Sequence, residues 1–244
     1  MSTSPTLKQA RDAAFEIKLQ QIFNAISAGN FKEATERLVT TFNAAQVARE
    51  DDHLSPHLFD METIVVAAAA RMATRNPDAA LNLLTQIIKQ DAGLPDEHIR
   101  KSFEELLMSE ETSPENKVNA YLTGAGIISK PNHLATVRIM TEYLETKPLS
   151  KRSVTLAKKI LADTRDYWND DAPEHSDFSP YMDQALETVK AGMKHLSPLD
   201  AYEQIDGLFS QHPDLTEIRE TTYARLVEDK SPRVSADELV RKLG

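Results

Sequence analysis

Apolar side chains recur every three or four residues along most of the chain, the spacing that places them on one face of an α-helix. Two clear examples are the stripes Phe15, Leu19, Ile22, Ile26 and Ala80, Leu83, Leu84, Ile87, Ile88. No segment shows the alternation of β-branched and polar residues between hairpin turns that is typical of a strand. The pattern therefore predicts an all-α protein.

Prolines indicate where these helices begin. Those in the middle of the chain are 17 to 21 residues apart; they are Pro56, Pro77, Pro95, Pro114, Pro131 and Pro148. Proline lacks a backbone N–H and clashes with the preceding turn, so helices accept it at their first position and exclude it from their interiors. Side chains that can cap a first turn precede four prolines of the chain: Asn76, Ser113, Ser179 and Ser197.

Stripes and prolines together predict about twelve helices. Their approximate ranges are 6–28, 31–48, 57–73, 77–91, 95–109, 114–129, 131–146, 150–169, 180–194, 198–211, 214–228 and 236–243. The predicted organisation is a helical-repeat domain over 1–169, an acidic loop over 170–179, and C-terminal helices over 180–244 that continue or cap the same array.

Helix starts recur about every 18–19 residues in the middle of the chain, so a pair of helices recurs about every 37. A period of this size is characteristic of helical-repeat arrays. Short connections make consecutive helices antiparallel, and each pair hides its apolar stripe only by stacking on the next pair. The pattern leaves open whether the helices form an open solenoid or a closed globule.

Two turns resemble those between the paired helices of tetratricopeptide repeats. They are Ala28-Gly29-Asn30-Phe31-Lys32-Glu33-Ala34, followed by Leu38, and Arg75-Asn76-Pro77-Asp78-Ala79-Ala80, followed by Leu84. The resemblance extends over about half of the chain, although the tryptophan and the leucine–glycine pair of the family's first helix are absent. It implies a concave groove that binds peptides or helices of other proteins. The fold prediction is a right-handed, tetratricopeptide-like α-solenoid.

Composition excludes several classes of function. The formal net charge is −10, from 28 Lys and Arg against 38 Asp and Glu, which argues against binding to nucleic acid. With no cysteine, the chain has no disulfide, thiolate metal site or cysteine nucleophile. Neither a P-loop nor a G-x-S-x-G pattern occurs. No cofactor is expected.

Hydropathy predicts a cytoplasmic protein without a membrane partner. The N-terminal residues contain no apolar segment of the kind found in a secretory signal. The longest apolar run, 64–70, is stopped by Arg71 and is too short for the ~30 Å of a bilayer core.

Two segments carry residues of the types that bind metals. Asp52, His53, His57 and Asp60 are close in sequence, but Ser55-Pro56 is expected to start a helix between the two histidines, so they do not share one face. The acidic loop is rich in oxygen ligands, but it lacks the turn glycine and the final glutamate of a calcium-binding loop. We therefore predict no metal site, and cation binding by the loop stays open.

A basic cluster is the strongest candidate for a binding surface. Lys151 and Lys158 share one helix face, Arg152 and Lys159 share another, and no acidic residue occurs from 147 to 162. One hypothesis is a docking site for an acidic peptide or a phosphate; the simpler interpretation is a solvated face screened by salt. Trp168, at a predicted helix end, is a candidate anchor for a partner or a residue that seals the core.

The function predicted from these features is that of a non-enzymatic protein-interaction module or scaffold. A partner peptide or helix would bind in the groove of the helical repeat. Two alternatives stay open: an all-helical enzyme with a scattered, metal-dependent site, and a helical bundle that self-assembles.

Overall fold

A computed structural model describes residues 7–49, 56–90, 96–167, 174–204 and 213–228. These ranges contain eleven α-helices, two short 3-10 helices and no strand. The all-α prediction is confirmed, with eleven helices in place of about twelve; the last predicted helix, 236–243, lies outside the described residues. No helix in this part of the chain has both the length and the apolar character needed to cross a membrane.

The α-helices are numbered in chain order. They are α1 (Leu7–Ser27), α2 (Phe31–Arg49), α3 (Pro56–Ala73), α4 (Pro77–Gln90), α5 (Glu97–Met108), α6 (Pro114–Gly124), α7 (Lys130–Thr146), α8 (Lys151–Asp163), α9 (His175–His195), α10 (Pro198–Gln204) and α11 (Pro213–Glu228). The 3-10 helices are Ala125–Ile127 and Arg165–Tyr167. The chain forms two compact units, Met1–Asn132 and His133–Gly244.

Proline marks the first residue of five helices, as its missing N–H favours. These helices are α3, α4, α6, α10 and α11. Two of the predicted caps are present: the Asn76 side chain accepts the Ala79 N–H at 2.9 Å, and Ser197 Oγ accepts the Asp200 N–H at 3.2 Å. Gly29, with a φ of 78°, takes the left-handed conformation where α1 ends.

Three helix boundaries differ from the prediction. Helix α6 ends at Gly124 and not near 129, because the 3-10 helix Ala125–Ile127 follows it. Helix α9 begins at His175, so Pro180 lies inside it and Ser179 is not its cap. The early start is stabilised by Phe178, which is buried in the first turns of α9 and stacks on Tyr167 with ring centres 4.0 Å apart. Helix α8 ends at Asp163, since the fully buried Thr164 takes a non-helical conformation and donates its hydroxyl to the Ile160 carbonyl at 2.7 Å.

Helices α1 to α6 of the first unit follow one packing rule. Within this set, each helix packs against the next helix and against the next but one. Their apolar stripes meet in a core whose largest members are at most 2% exposed, among them Ile22, Leu38, Phe42, Met61, Met72, Leu83, Leu84, Ile99, Phe103 and Tyr121. The helices thus bury their apolar stripes by packing against the helices that precede and follow them in the sequence.

Hydrogen bonds between the ends of helices show the directions of the helices in this unit. After the end of α3, Arg75 donates to the Ser27 carbonyl at the end of α1 at 2.8 Å, so the C-terminal ends of these helices adjoin. At the start of α4, Asp78 accepts the N–H of Ser113, the residue before α6, at 2.7 Å. Helices that are next but one therefore run in the same direction.

Helices α8 to α11 of the second unit follow the same rule. Helix α8 packs on α9 and α10, and α11 packs on α9 and α10. Near the start of α8, Lys151 pairs with Asp200 near the start of α10 at 3.5 Å, and Arg225 near the end of α11 donates to the Leu196 carbonyl after α9 at 2.9 Å. Helices α8 and α10 are thus parallel, as are α9 and α11, which is compatible with a helical repeat.

Candidate functional site

The predicted basic cluster lies on α8, whose start is fixed by a pair of serines. Ser150 Oγ accepts the Ser153 N–H at 3.2 Å, and Ser153 Oγ accepts the Ser150 N–H at 2.7 Å, which forms a capping box. The capping places Lys151 and Arg152 in the first turn, where both side chains are exposed. Their positive charge lies near the positive end of the helix dipole, which favours negative partners close by.

Helix α10 supplies those negative partners to Lys151. Its ammonium contacts Glu203 and lies 3.5 Å from Asp200, and all three side chains are about half exposed. The hydrogen bond to Glu203 raises the pKa of Lys151. The pKa of Asp200 is lowered, first by the hydrogen bond from the Ser197 hydroxyl and also by the positive charge of Lys151. The positive charge of Lys151 is therefore neutralised by two carboxylates of α10, which belongs to the same unit.

The other two lysines also make intramolecular contacts. Lys158 donates to the carbonyl of Gln204, the last residue of α10, where a cation is favourable at the negative helix end. Lys159 pairs with Asp163 one turn along α8, at 3.1 Å. Thr155, which lies between Lys151 and Lys158 in the sequence, donates to the Gln204 side chain at 3.1 Å.

The structure thus brings Lys151 and Lys158 together against α10 and pairs Lys159 within α8. Trp168 lies outside the described residues. The segment 147–162 contains no acidic residue, and the partner of its Lys151 is Glu203, 52 positions later. Local sequence could not reveal this pairing. A docking role for these residues stays a prediction.

A second basic surface, which the sequence analysis did not single out, lies between α9 and α11. We call it the α9–α11 groove. It has a volume of about 240 Å³ and is lined by Lys190, Met193, Lys194, Glu217, Ile218, Thr221, Thr222 and Arg225. Lys190 and Lys194 are one turn apart on α9, but only the pairing of α9 with α11 adds Arg225 to them.

Apolar side chains form the floor of this groove and cations its rim. Met193 is 2% exposed and Ile218 is 8% exposed. Arg225 donates to the Met193 and Leu196 carbonyls, so its guanidinium caps the C-terminal end of α9 while it lines the groove. The arrangement suits an aliphatic side chain flanked by negative groups.

In the first unit, the exposed face of α3 is formed largely by small side chains, with Arg71 in the last turn. Helix α3 packs on both α1 and α5, and its exposed positions include Thr63, Ala67 and Ala70. Small side chains at one-turn spacing allow the backbone of another helix to approach closely. This face is therefore a candidate surface for a partner helix, of the kind that the resemblance to tetratricopeptide repeats implies.

The buried carboxylate of Glu104 has a structural explanation. It is 5% exposed and accepts the Ser129 N–H at 2.6 Å, the Ser129 hydroxyl at 3.1 Å and the Asn132 amide at 2.6 Å, with Arg100 at 3.8 Å. Because these donors satisfy both oxygens, Glu104 fixes the start of α7 and has little capacity left for a ligand.

An aromatic cluster in the second unit contains the one histidine with a clearly shifted pKa among the described residues. His133 lies 5.5 Å from Phe178 and 6.0 Å from Tyr167, measured between ring centres. Burial lowers the pKa of His133, and the charge of Asp163 partly opposes that effect. The folded state therefore favours the neutral imidazole.

Metal-ligand chemistry finds no support in the part of the chain that the structure describes, where no three His, Asp or Glu side chains are grouped to hold an ion. Asp52, His53 and residues 170–173 of the predicted acidic loop lie outside that part, and the side chains of His57 and Asp60 are not described.

No family model, curated protein or solved structure matches the chain. The class that the fold defines is an all-helical protein whose packing is compatible with a helical repeat. The tetratricopeptide likeness stays a resemblance of its turn sequences.

Proposed function

We propose that the chain is a non-enzymatic protein-interaction module, built as a right-handed, tetratricopeptide-like α-solenoid, that binds a peptide or helix of another protein. One observation carries the proposal: among α1 to α6, and among α8 to α11, helices that are next but one pack side by side, and the pairs whose ends are in contact run in the same direction. Equivalent faces of alternate helices then adjoin and make one extended surface.

Complementarity is the proposed mechanism. Helices held by their neighbours keep such a surface in one conformation, so a partner segment loses ordering entropy on binding while the scaffold loses little. No group on this surface has to take part in bond making. The module would thus act by holding a partner in one fixed orientation on its surface.

The face of α3 is the best candidate for the contact in the first unit. Helix α3 has neighbours on both sides, α1 and α5, so a partner on its exposed face would also reach those helices. Ala67 and Ala70 are exposed and uncharged. A bound helix could approach these two small side chains closely, with the exposed Arg71 one turn along α3 from Ala67.

Capture from a lysate of the source organism tests the proposal with the full chain as bait. The variant Ala67→Glu/Ala70→Glu adds two charges to the face of α3 at exposed helix positions, where substitutions cost little stability. A matched control, Asn82→Glu/Gln86→Glu, adds the same two charges to α4 at an exposed and a half-buried position. Partner amounts are compared by quantitative mass spectrometry, and folding is checked by circular dichroism.

We expect the wild type and the α4 variant to capture the same proteins, and the α3 variant to lose them by about tenfold or more. Equal capture by all three chains would contradict the assigned surface. Recovery of nothing except further copies of this chain, with an oligomer seen by light scattering, would contradict the module and favour self-assembly.

A further inference from the structure

We propose that the α9–α11 groove binds an acidic peptide segment, whose carboxylates contact Lys190 and Lys194 and whose aliphatic side chain rests on Met193 and Ile218. This inference rests on the proposed function, because it names the chemistry of one partner segment for such a module. It concerns residues different from those of the basic cluster on α8.

The position of the groove supports a peptide ligand. Helices α9 and α11 are next-but-one neighbours that run in the same direction, since Arg225 near the end of α11 caps the end of α9. The groove therefore follows the boundary between successive helix pairs, the kind of surface on which a helical repeat holds an extended or helical segment.

The size of the groove favours a side chain over a cofactor. Its volume is about 240 Å³, below the ~300–1,000 Å³ that is usual for pockets enclosing small molecules. The buried surfaces of Met193 and Ile218 form an apolar floor. If a leucine-sized side chain of the peptide lay on this floor, the residues next to it in the peptide would lie at the charged rim of the groove.

Charge gives the groove its selectivity. Its lining holds Lys190, Lys194 and Arg225 against a single acid, Glu217, whereas the whole chain carries a net charge of −10. An acidic segment is thus attracted here and repelled by most of the remaining surface. Lys190 also contacts Glu187 at 3.1 Å on its own helix, an exposed pair that a ligand carboxylate can replace at little cost.

Fluorescence anisotropy with a defined probe tests the inference. The probe is a fluorescein-labelled peptide of about 12 residues, all glutamate except for a leucine at every fourth position, and the reference peptide has glutamine in place of each glutamate. The protein variant Lys190→Glu/Lys194→Glu reverses the rim of the groove. The matched control, Lys18→Glu/Lys32→Glu, makes the same change in net charge at two exposed positions of α1 and α2.

We expect the glutamate probe to bind the wild type at least about tenfold more tightly than the glutamine probe does. The groove variant should lose about tenfold in affinity or more, and the α1–α2 variant should stay within about twofold. Arg225 is left unchanged because it caps α9, and both variants are checked for an unchanged thermal melt.

Absence of binding to the wild type, or an equal loss in both variants, would overturn the inference. Binding that arises only after removal of residues 229–244 would also overturn it and would make the chain's own C-terminal segment the occupant. The capture experiment with the α3 variants does not depend on this groove. If capture succeeds while the peptide fails, only the acidic ligand is wrong; if capture fails as well, the interaction function itself is wrong.

Discussion

Glu104 shows how a single buried charge can organise a connection. Its carboxylate collects donors from Ser129 and Asn132, residues 25 and 28 positions later in the chain. A buried acid that lacks such donors would be strongly destabilising, so the residue and its donors act as a unit.

Replacement of this carboxylate should therefore be costly. We expect Glu104→Ala to lower the free energy of unfolding by about 3 kcal/mol, since it leaves the Ser129 N–H and the Asn132 amide buried without an acceptor. Urea denaturation measures the change. Glu105→Ala, at the exposed neighbouring position, serves as the control and should stay within about 0.5 kcal/mol. Equal effects of the two substitutions would contradict the structural role of Glu104.

His133 should make the stability of the chain depend on pH. Because burial lowers its pKa in the folded state, the unfolded chain binds a proton first as the pH falls. The stabilising effect of the neutral imidazole is thus complete above the unfolded pKa of ~6.5 and decreases as the pH falls from there toward the lower folded value.

The variant His133→Gln removes that titration. We expect the wild type to lose more stability than this variant between about pH 7.5 and about pH 5.5, as measured by urea unfolding at each pH. Asn82→Gln, which changes no titratable group at an exposed position of α4, provides the comparison and should keep the wild-type dependence. An unchanged pH dependence in His133→Gln would show that the imidazole is not responsible.

At the scale of single helices, the contact between α8 and α9 depends on the absence of a side chain at Gly192. A Cβ at this position would overlap Val154 Cγ2, whereas a Cβ at Gly126 would meet no atom within 4 Å. Val154 is branched at Cβ and fully buried, so it has little freedom to move away.

We expect Gly192→Ala to destabilise the chain by about 2 kcal/mol, even though alanine favours a helix. Gly126→Ala should have an effect of no more than about 0.5 kcal/mol. In the double variant Val154→Ala/Gly192→Ala the overlap disappears, so its total cost should be smaller than the sum of the two single costs. Additive costs in thermal denaturation would rule out this close approach.

Most helix starts could be predicted because their signals are local. Pro77, Pro114 and Pro198 each begin a helix as expected, since the missing N–H affects only the adjacent turn. Pro180 misled the prediction for a physical reason: the stacking of Phe178 on Tyr167 extends α9 on the N-terminal side of this proline. That contact joins residues 11 positions apart in the sequence and leaves no local pattern.

The candidate site could be predicted less well than the helices. The sequence showed the positive charges of Lys151 and Lys158, but their partners Glu203 and Gln204 come from a helix 46 to 52 residues away. The α9–α11 groove likewise forms only when two separate helices are placed side by side. Charge patterns along a chain do not report such pairings, which arise from packing.

At the scale of the whole molecule, one rule relates sequence order to packing in each unit. Among α1 to α6, and among α8 to α11, a helix contacts the next and the next but one. Contacts near the helix ends show that the latter pairing is parallel for α1 with α3, α4 with α6, α8 with α10 and α9 with α11. Local contacts of this kind are the basis of repeat architectures, and they create the extended faces on which the proposed binding depends. The direction of the next-but-one contacts is therefore the central claim.

Pulsed electron paramagnetic resonance measures that direction most directly, because the chain has no cysteine of its own and spin labels can be placed at will. The label pairs are Ser27 with Thr74 and Ser27 with Thr63 for α1 and α3, and His195 with Glu228 and His195 with Glu217 for α9 and α11; all six positions are exposed. Eleven residues of helix span about 16 Å, so the first pair of each set should be shorter than the second by about 10 Å. The reverse order in either unit would contradict parallel stacking there.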